Sequence, residues 1–335
     1  MNKPLTILAI QPWYPANAPT FLIEAFERAG HKVFRCGPQY FDHMGLMWPE
    51  SDCPKINLEI PRESDWNIDF FIDYAAQNEC APDIVVISEE NYHNTIENTT
   101  KIPSILWSMD GWPENYARRS MVQPTMAYTN HPFGIRIHPQ SSLPEGWHWL
   151  PGAAAPWIHR DLLEPRTVDF ALFATTYGER QNLCNGLREH GFRVLNGKAT
   201  TAAYVRFVNI AISTLHNPQP GEIQWRFFEH AAMGCINITW YTPLLDVLGY
   251  KKLQHYYPIS VEENNDDPWP DLEDLASAVA ALKYAHDIYQ YIHREAKHWT
   301  LHNHTYFHRA ATILRDIKMM PYAMQILEYV DNMKL

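Results

Sequence analysis

Short apolar runs alternate along this chain with longer segments of helical period, and that alternation restricts the fold more than any other feature. "LTILAI", "PDIVVISEE", "IPSILW", "VDFALF" and "INITWY" each have the length of one strand. Between several of them lie amphipathic stretches, the pattern of βα units that build a parallel sheet. "LTILAIQPWYPANAPTFLIEAFERAGHKVFRC" reads as strand, long loop, helix, a stop at Gly30 and a second strand. Its loop lacks G-x-G-x-x-G, which removes support for an ordinary dehydrogenase.

In open parallel sheets ligands gather at the carboxyl ends of strands. Glu89, Glu90, Ser108 and Asp110 are therefore expected to point toward a cleft, and "MAYTNHPFG" adds a strand ending near Asn130 and His131. "PQSSLPEGWHWLPGAAAPWIHRDLLEP" breaks the periodicity and reads as an interdomain segment. A chain of 335 residues suits two domains of roughly 150 residues each. The expected class is α/β, two layered domains with a cleft between them.

Composition narrows the environment. No apolar run approaches the roughly 20 residues needed to span a bilayer, and "MNKPLTILAI" has too short a hydrophobic region for a signal peptide. Five scattered cysteines without a C-x-x-C pair suggest neither disulfides nor a thiolate metal site, and a cytoplasmic location fits. The formal charge of −11 disfavours a protein that clamps long stretches of nucleic acid. Twelve Trp and eighteen Tyr supply walls suited to sugars or bases, although such residues also fill cores.

The chemistry concentrates in "GEIQWRFFEHAAMGCINIT". One reading is a buried αβ unit with a solvated first turn, stopped by Gly234. The other is a nucleotide-sugar site. Glu229, as a first-turn carboxylate, accepts protons from both ribose hydroxyls, N–H groups near Gly221 and Glu222 face a diphosphate, and Arg226 neutralises its charge. The histidines of "HWTLHNHTYFHR" pair four apart, His298 with His302 and His304 with His308, but lack the glutamate of H-E-x-x-H, so helix packing is expected rather than metal. The acids of "NNDDPWPDLEDLASAV" precede a long helix, where Asp271 caps and Glu273 and Asp274 favour the dipole.

Four stretches in order, "VDFALFATTYGERQNLCNGL", "AYVRFVNIAISTLHN", "WRFFEHAAMGCINIT" and "HNHTYFHRAATIL", together with "HWLPGAAAPWIHR", resemble the C-terminal half of the CgeB-like (spore-maturation) glycosyltransferases over roughly residues 145 to 315. The resemblance implies the GT-B fold: two Rossmann-like domains facing each other across a cleft, with a C-terminal helix packing back toward the first. It places an acceptor-binding domain at 1–150, joined by 312–335, and a nucleotide-sugar-binding domain at 151–311. It further implies that Glu229 binds ribose, that Arg180 and Arg226 meet the diphosphate, and that Thr175 belongs to the donor loop, after Ala174 where relatives carry glycine. The second glutamate of the retaining enzymes would fall at Gly221, whereas the nearest acid here is Glu222.

The implied activity is transfer of a sugar from a nucleoside-diphosphate sugar, taken as a UDP-sugar, to an acceptor hydroxyl, with no tightly bound cofactor and no obligatory metal. The acceptor is a glycan, a small molecule, a protein or a modified DNA base; for the last, Trp112, Arg118, Arg119 and Arg136 are the residues to consider. An inverting reaction needs a base, for which Asp110 is the first candidate and His131 the second. A nucleotide-sugar epimerase and a non-catalytic two-lobed binding protein are the readings from other classes.

Overall fold

The computed structural model describes residues 3–43, 46–61, 65–89, 96–97, 99–109, 122–130, 143, 145–174, 178–217, 222–261 and 269–333. The chain divides into two units, Met1–Gly152 with Tyr306–Lys334, and Ala153–Thr305.

In the first unit the apolar runs become β1 (Thr6–Ile10), β2 (Lys32–Gly37), β3 (Asp42–His43), β4 (Leu46–Met47), β5 (Leu58–Glu59), β6 (Trp66–Asn67), β7 (Ile84–Glu89), β8 (Ile96–Glu97), β9 (Ser104–Ser108), β10 (Met126–Thr129) and β11 (Trp147–Trp149). Seven of them form one sheet in the order β11-β10-β9-β7-β1-β2-β5. Every pairing in it is parallel. From β1 the chain proceeds outward to β2 and β5, then returns to β7 and proceeds the other way, so its direction reverses between β1 and β7. The "WHW" stretch, expected in an interdomain segment, is instead the edge strand β11, because Ala127, Tyr128 and Thr129 of β10 pair with it.

Helix α1 (Ala18–Arg28) is started by Asn17, whose Oδ1 accepts the Thr20 N–H at 2.8 Å, and carries Pro in its first turn. Helix α2 (Ile68–Gln77) covers the opposite face, where Phe71 and Ala75 pack with Leu8, Ile10, Val85, Ile87 and Leu106. Covering both faces is what a fully apolar parallel sheet requires.

The second unit holds β12 (Val168–Phe173), β13 (Val194–Gly197), β14 (Ala211–Leu215), β15 (Ile236–Thr239) and β16 (Tyr257–Pro258), ordered β13-β12-β14-β15-β16 and all parallel. Here the direction reverses between β12 and β14. Helices α3 (Glu179–Glu189), α7 (Leu272–Tyr284) and α8 (His286–Asn303) bury one face, through residues such as Leu187, Val279 and Ile292. Helix α4 (Thr201–Asn209) packs Val205 and Val208 on the other. Two further helices, α5 (Trp225–Ala232) and α6 (Pro243–Val247), flank β15 in sequence.

After Thr305 the chain rejoins the first unit as α9 (Tyr306–Asp316) and α10 (Met320–Asp331). Tyr306 lies against Phe21 of α1, and the Tyr128 hydroxyl donates to Asp316 Oδ2 at 2.9 Å. The buried Arg309 donates through Nε to the Pro151 carbonyl at 2.9 Å and through Nη2 to the Gly152 carbonyl at 3.0 Å. Carbonyl oxygens can hold a buried guanidinium because each charge-assisted bond is stronger than a neutral one. Among the described residues no helix is long and apolar enough to cross a membrane.

Gly37 closes β2 at φ +136°, and a Cβ there would meet the Gln11 carbonyl oxygen at 2.0 Å. Backbone cannot yield as a side chain can. Gly37→Ala is expected to destabilise the chain by about 3 kcal/mol, from strain and overpacking together, measured as a lower urea midpoint; an unchanged midpoint would show that the β1–β2 approach is not tight.

Candidate functional site

At the reversal point of the second sheet, beyond the carboxyl ends of β12 and β14, a pocket opens. Ala174, directly after β12, and His216 and Asn217, directly after β14, line it with Arg180, Gln224 and Arg226. Each position follows from local sequence. Polar residues at the ends of apolar strands fall at the rim of a parallel sheet, and Arg180 and Arg226 sit in the first turns of α3 and α5.

The pocket has the character of an anion site. Its described lining includes two arginines and no carboxylate. The Arg180 guanidinium carbon lies 5.7 Å from the centroid of the Trp269 ring, within cation–π range. Helix α5 begins at Gln224 without a side-chain cap, and its first turn holds no acid. Uncapped N–H groups at such a start attract phosphate. His216 Nε2 and both amide atoms of Asn217 are buried without a hydrogen-bond partner. Buried polar atoms of this kind each cost about 1–3 kcal/mol when unmet, so they mark where a ligand's polar edge fits.

The imidazoles are neutral. Burial, helped by the adjacent His230 and Arg226 charges, lowers His216 to about 3. Burial also lowers His230 to about 3 against the raising effect of Asn237. Asn237 donates its amide to the Phe227 carbonyl at 2.9 Å, so its oxygen faces His230 Nδ1 at 3.2 Å. That arrangement puts the proton on Nδ1 and leaves Nε2 as an acceptor.

Glu229 occupies a different place from the one expected. It lies in the second turn of α5, not the first, and is buried. Its Oε2 accepts the Tyr204 hydroxyl at 2.7 Å, and its Oε1 is 3.5 Å from His159 Nε2. The Ala155 N–H donates to His159 Nδ1 at 3.0 Å, so the imidazole proton is on Nε2, facing the carboxylate. Burial, reinforced by Glu229, holds the Tyr204 phenol well above its ordinary value. Burial holds His159 low, partly opposed by the same carboxylate. Glu229 does not line the pocket described above. Glu229 stands three residues after Arg226 on the same side of α5 but one turn deeper, where it is buried.

The helix start is at Gln224 and Trp225 rather than near Gly221 and Glu222. Glu222 is a loop residue, and Gly221, Thr175, Asp110 and His131 lie outside the described residues. The side chain of Glu89 and the whole of Glu90 do so too. Gly234 does end α5, at φ +72°, with its carbonyl 2.8 Å from His293 Nδ1. The neighbouring Met233 carbonyl accepts from Arg166 Nη2 at 2.6 Å. Asp271 caps α7 through the Glu273 N–H at 2.8 Å. His302 Nδ1 is 2.8 Å from the His298 carbonyl within α8, and His304 Nε2 is 2.8 Å from the Leu248 carbonyl, a packing contact.

His216, Asn217, Gln224 and His230 were not anticipated. The available signal was the "HN" that ends "AISTLHN", polar residues immediately after an apolar strand.

Two outcomes follow from this chemistry. Tyr204→Phe removes one partner of a buried carboxylate and is expected to cost about 1–3 kcal/mol of stability, read by urea unfolding. His216 and His230 stay neutral in the folded chain down to about pH 3 but protonate near 6.5 when unfolded. Unfolding therefore takes up protons in that window, and stability present above pH 6.5 is lost as the pH falls toward 3. The slope should reach about 1.4 kcal/mol per pH unit for each imidazole, and His216→Asn should make it shallower; an identical slope would place His216 in water.

Comparison with known proteins bears on this pocket. Residues 157–315 match the sequence profile of the glycosyl transferase-like family. No curated protein matches the chain by sequence. Among solved structures, sucrose-phosphate synthase from Thermosynechococcus elongatus superposes with a TM-score of 0.57 at 11% identity, over 95% of this chain and 100% of its own. Anabaena HepE in complex with UDP-glucose gives 0.57 at 9% identity, over 93% and 99%. The catalytic domain of Arabidopsis thaliana starch synthase IV, bound to ADP and acarbose, gives 0.53 at 8% identity, over 97% and 100%. These likenesses carry the fold, the α/β architecture of the GT-B enzymes, and the profile match assigns residues 157–315, most of the unit that holds the pocket, to a glycosyl transferase-like domain.

Proposed function

We propose that the β12–β14 pocket binds a nucleoside-diphosphate sugar, taken as a UDP-sugar, and that the first unit binds the acceptor whose hydroxyl receives the sugar. One observation carries the reading: two arginines, an uncapped helix start and the unpartnered Asn217 and His216 converge on a single pocket. Arg180 and Arg226 stabilise the departing diphosphate, with the N–H groups of α5 beside them. Asn217 offers both a donor and an acceptor to the base or ribose. The choice of UDP follows the HepE complex with UDP-glucose. The reading requires no metal, because the arginines and the helix start supply the positive charge that a divalent ion would otherwise provide.

Kinship to the CgeB-like enzymes rests on the four ordered stretches described above and is part of the proposal. If the product is inverted at the anomeric carbon, Asp110 takes the acceptor proton, with His131 second. A cytoplasmic location agrees with five free cysteines, four of them buried. An epimerase would use the same donor pocket but release an altered nucleotide sugar without any acceptor.

A thermal-shift screen against UDP, GDP, ADP, CMP and their sugars tests the reading, since a ligand that binds only the folded chain raises its melting temperature. UDP and a UDP-sugar are expected to stabilise. Arg180→Ala and Arg226→Ala should each weaken binding about tenfold to a hundredfold, the worth of a charge-assisted contact. Stabilisation by none of the nucleotides would overturn the proposal. Glu229→Gln separates two roles for that residue: a ribose ligand loses nucleotide affinity, whereas a clamp on Tyr204 loses stability alone.

A further inference from the structure

The first unit has its own reversal point, between β1 and β7. Ile10 stands beside Ile87 in the register. The next residues, Gln11 and Ser88, are therefore neighbours at the carboxyl ends, separated by the strand spacing of about 5 Å. Leu8, Ile10, Val85 and Ile87 face the core with Phe71 of α2. Alternation turns Gln11 and Ser88 to the other face, and Gln11 Nε2 donates there to Thr20 Oγ1 of α1 at 3.4 Å. Asn17 caps that same turn.

Three polar atoms at this point have no partner: Gln11 Oε1, Asn17 Nδ2 and Ser88 Oγ. Their residues are 0%, 4% and 1% exposed. Asn130 Oδ1, just past β10 on the same edge, is a fourth. Each unmet group costs about 1–3 kcal/mol. Several together at the place where open sheets bind ligands indicate a site organised around a partner.

The set defines the partner's chemistry. It comprises two amides and a hydroxyl, which accept and donate without charge. The start of α1 offers an anion little: Pro19 has no N–H, and the N–H groups of Thr20 and Phe21 are spent on Asn17 Oδ1 and its carbonyl oxygen. A ligand that matches must both donate and accept at closely spaced hydroxyls.

We infer that the first unit binds an uncharged, hydroxyl-rich acceptor, a saccharide or cyclitol, at the β1–β7 reversal point through Gln11, Asn17 and Ser88. Only the word acceptor rests on the transferase reading; the binding chemistry stands on these residues.

Saturation-transfer NMR on the full chain with glucose, myo-inositol and glucose 6-phosphate, each with and without UDP, tests the inference. Glucose or myo-inositol is expected to receive saturation, and glucose 6-phosphate less. Ser88→Ala should weaken that binding about fivefold to tenfold while leaving UDP affinity unchanged and the melting temperature equal or higher, because the buried hydroxyl has no partner within the protein. Asn17→Ser, which keeps the helix cap, should weaken it similarly. No transfer to either neutral compound, transfer unaffected by both substitutions, or tighter binding of the phosphate ester would each overturn the inference. UDP binding without polyol binding defeats this inference alone. Polyol binding with no nucleotide bound defeats the transferase reading and upholds the saccharide site.

Discussion

Parallel strand pairing is the constraint on which the rest of the structure depends. Parallel neighbours need crossovers, so all carboxyl ends lie on one edge, and at one point in each sheet successive crossovers leave in opposite directions. The two strands at that point cannot both be covered by a following connection. In the second unit they are β12 and β14, and the pocket with Arg180 and Arg226 lies there. In the first they are β1 and β7, and Gln11 and Ser88 lie there. Both candidate sites are thus consequences of strand order before they are consequences of particular side chains.

Burial then sorts the polar residues by task. Asp169 is fully buried and pairs with Lys283 at 3.0 Å, a contact that holds α7 to β12. Arg166 holds the Val208, Ala211 and Met233 carbonyls and so fixes the ends of α4 and α5. Glu229, Tyr204 and His159 form a third such group beneath the pocket. These residues join one element to another, even though Asp169 Oδ1 has no hydrogen-bond partner. Asn217, His216, Gln11 and Ser88 retain unpaired atoms at the carboxyl ends of strands, and it is that position together with the missing partners that supports assigning function to them.

Much of the architecture was legible in the chain. The βα alternation and its helix punctuation, Asn17 before α1 and Gly234 after α5, are local properties, and the structure carries them. The arginines of the pocket were legible because each follows a strand or opens a helix. Glu229 stands one turn deeper in α5 than the sequence suggests, because the helix start depends on packing rather than on the "GEIQ" that precedes it. The "WHW" strand was hidden because an edge strand of three residues has too few positions to show a period.

The sequence by itself determined the class of element along the main βα units, since apolar period and capping are set within a few residues. It also determined the supply of charge, a chain of net −11 that still places Arg180 and Arg226 near helix starts. Only the tertiary structure decided which strands lie side by side, and therefore that Ala174 and Asn217, forty-odd residues apart, share one pocket. Strand order is a property of long-range pairing, and no local window contains it. The same is true of solitude: a polar residue looks alike in sequence whether folding gives it a partner or leaves it facing an unoccupied edge.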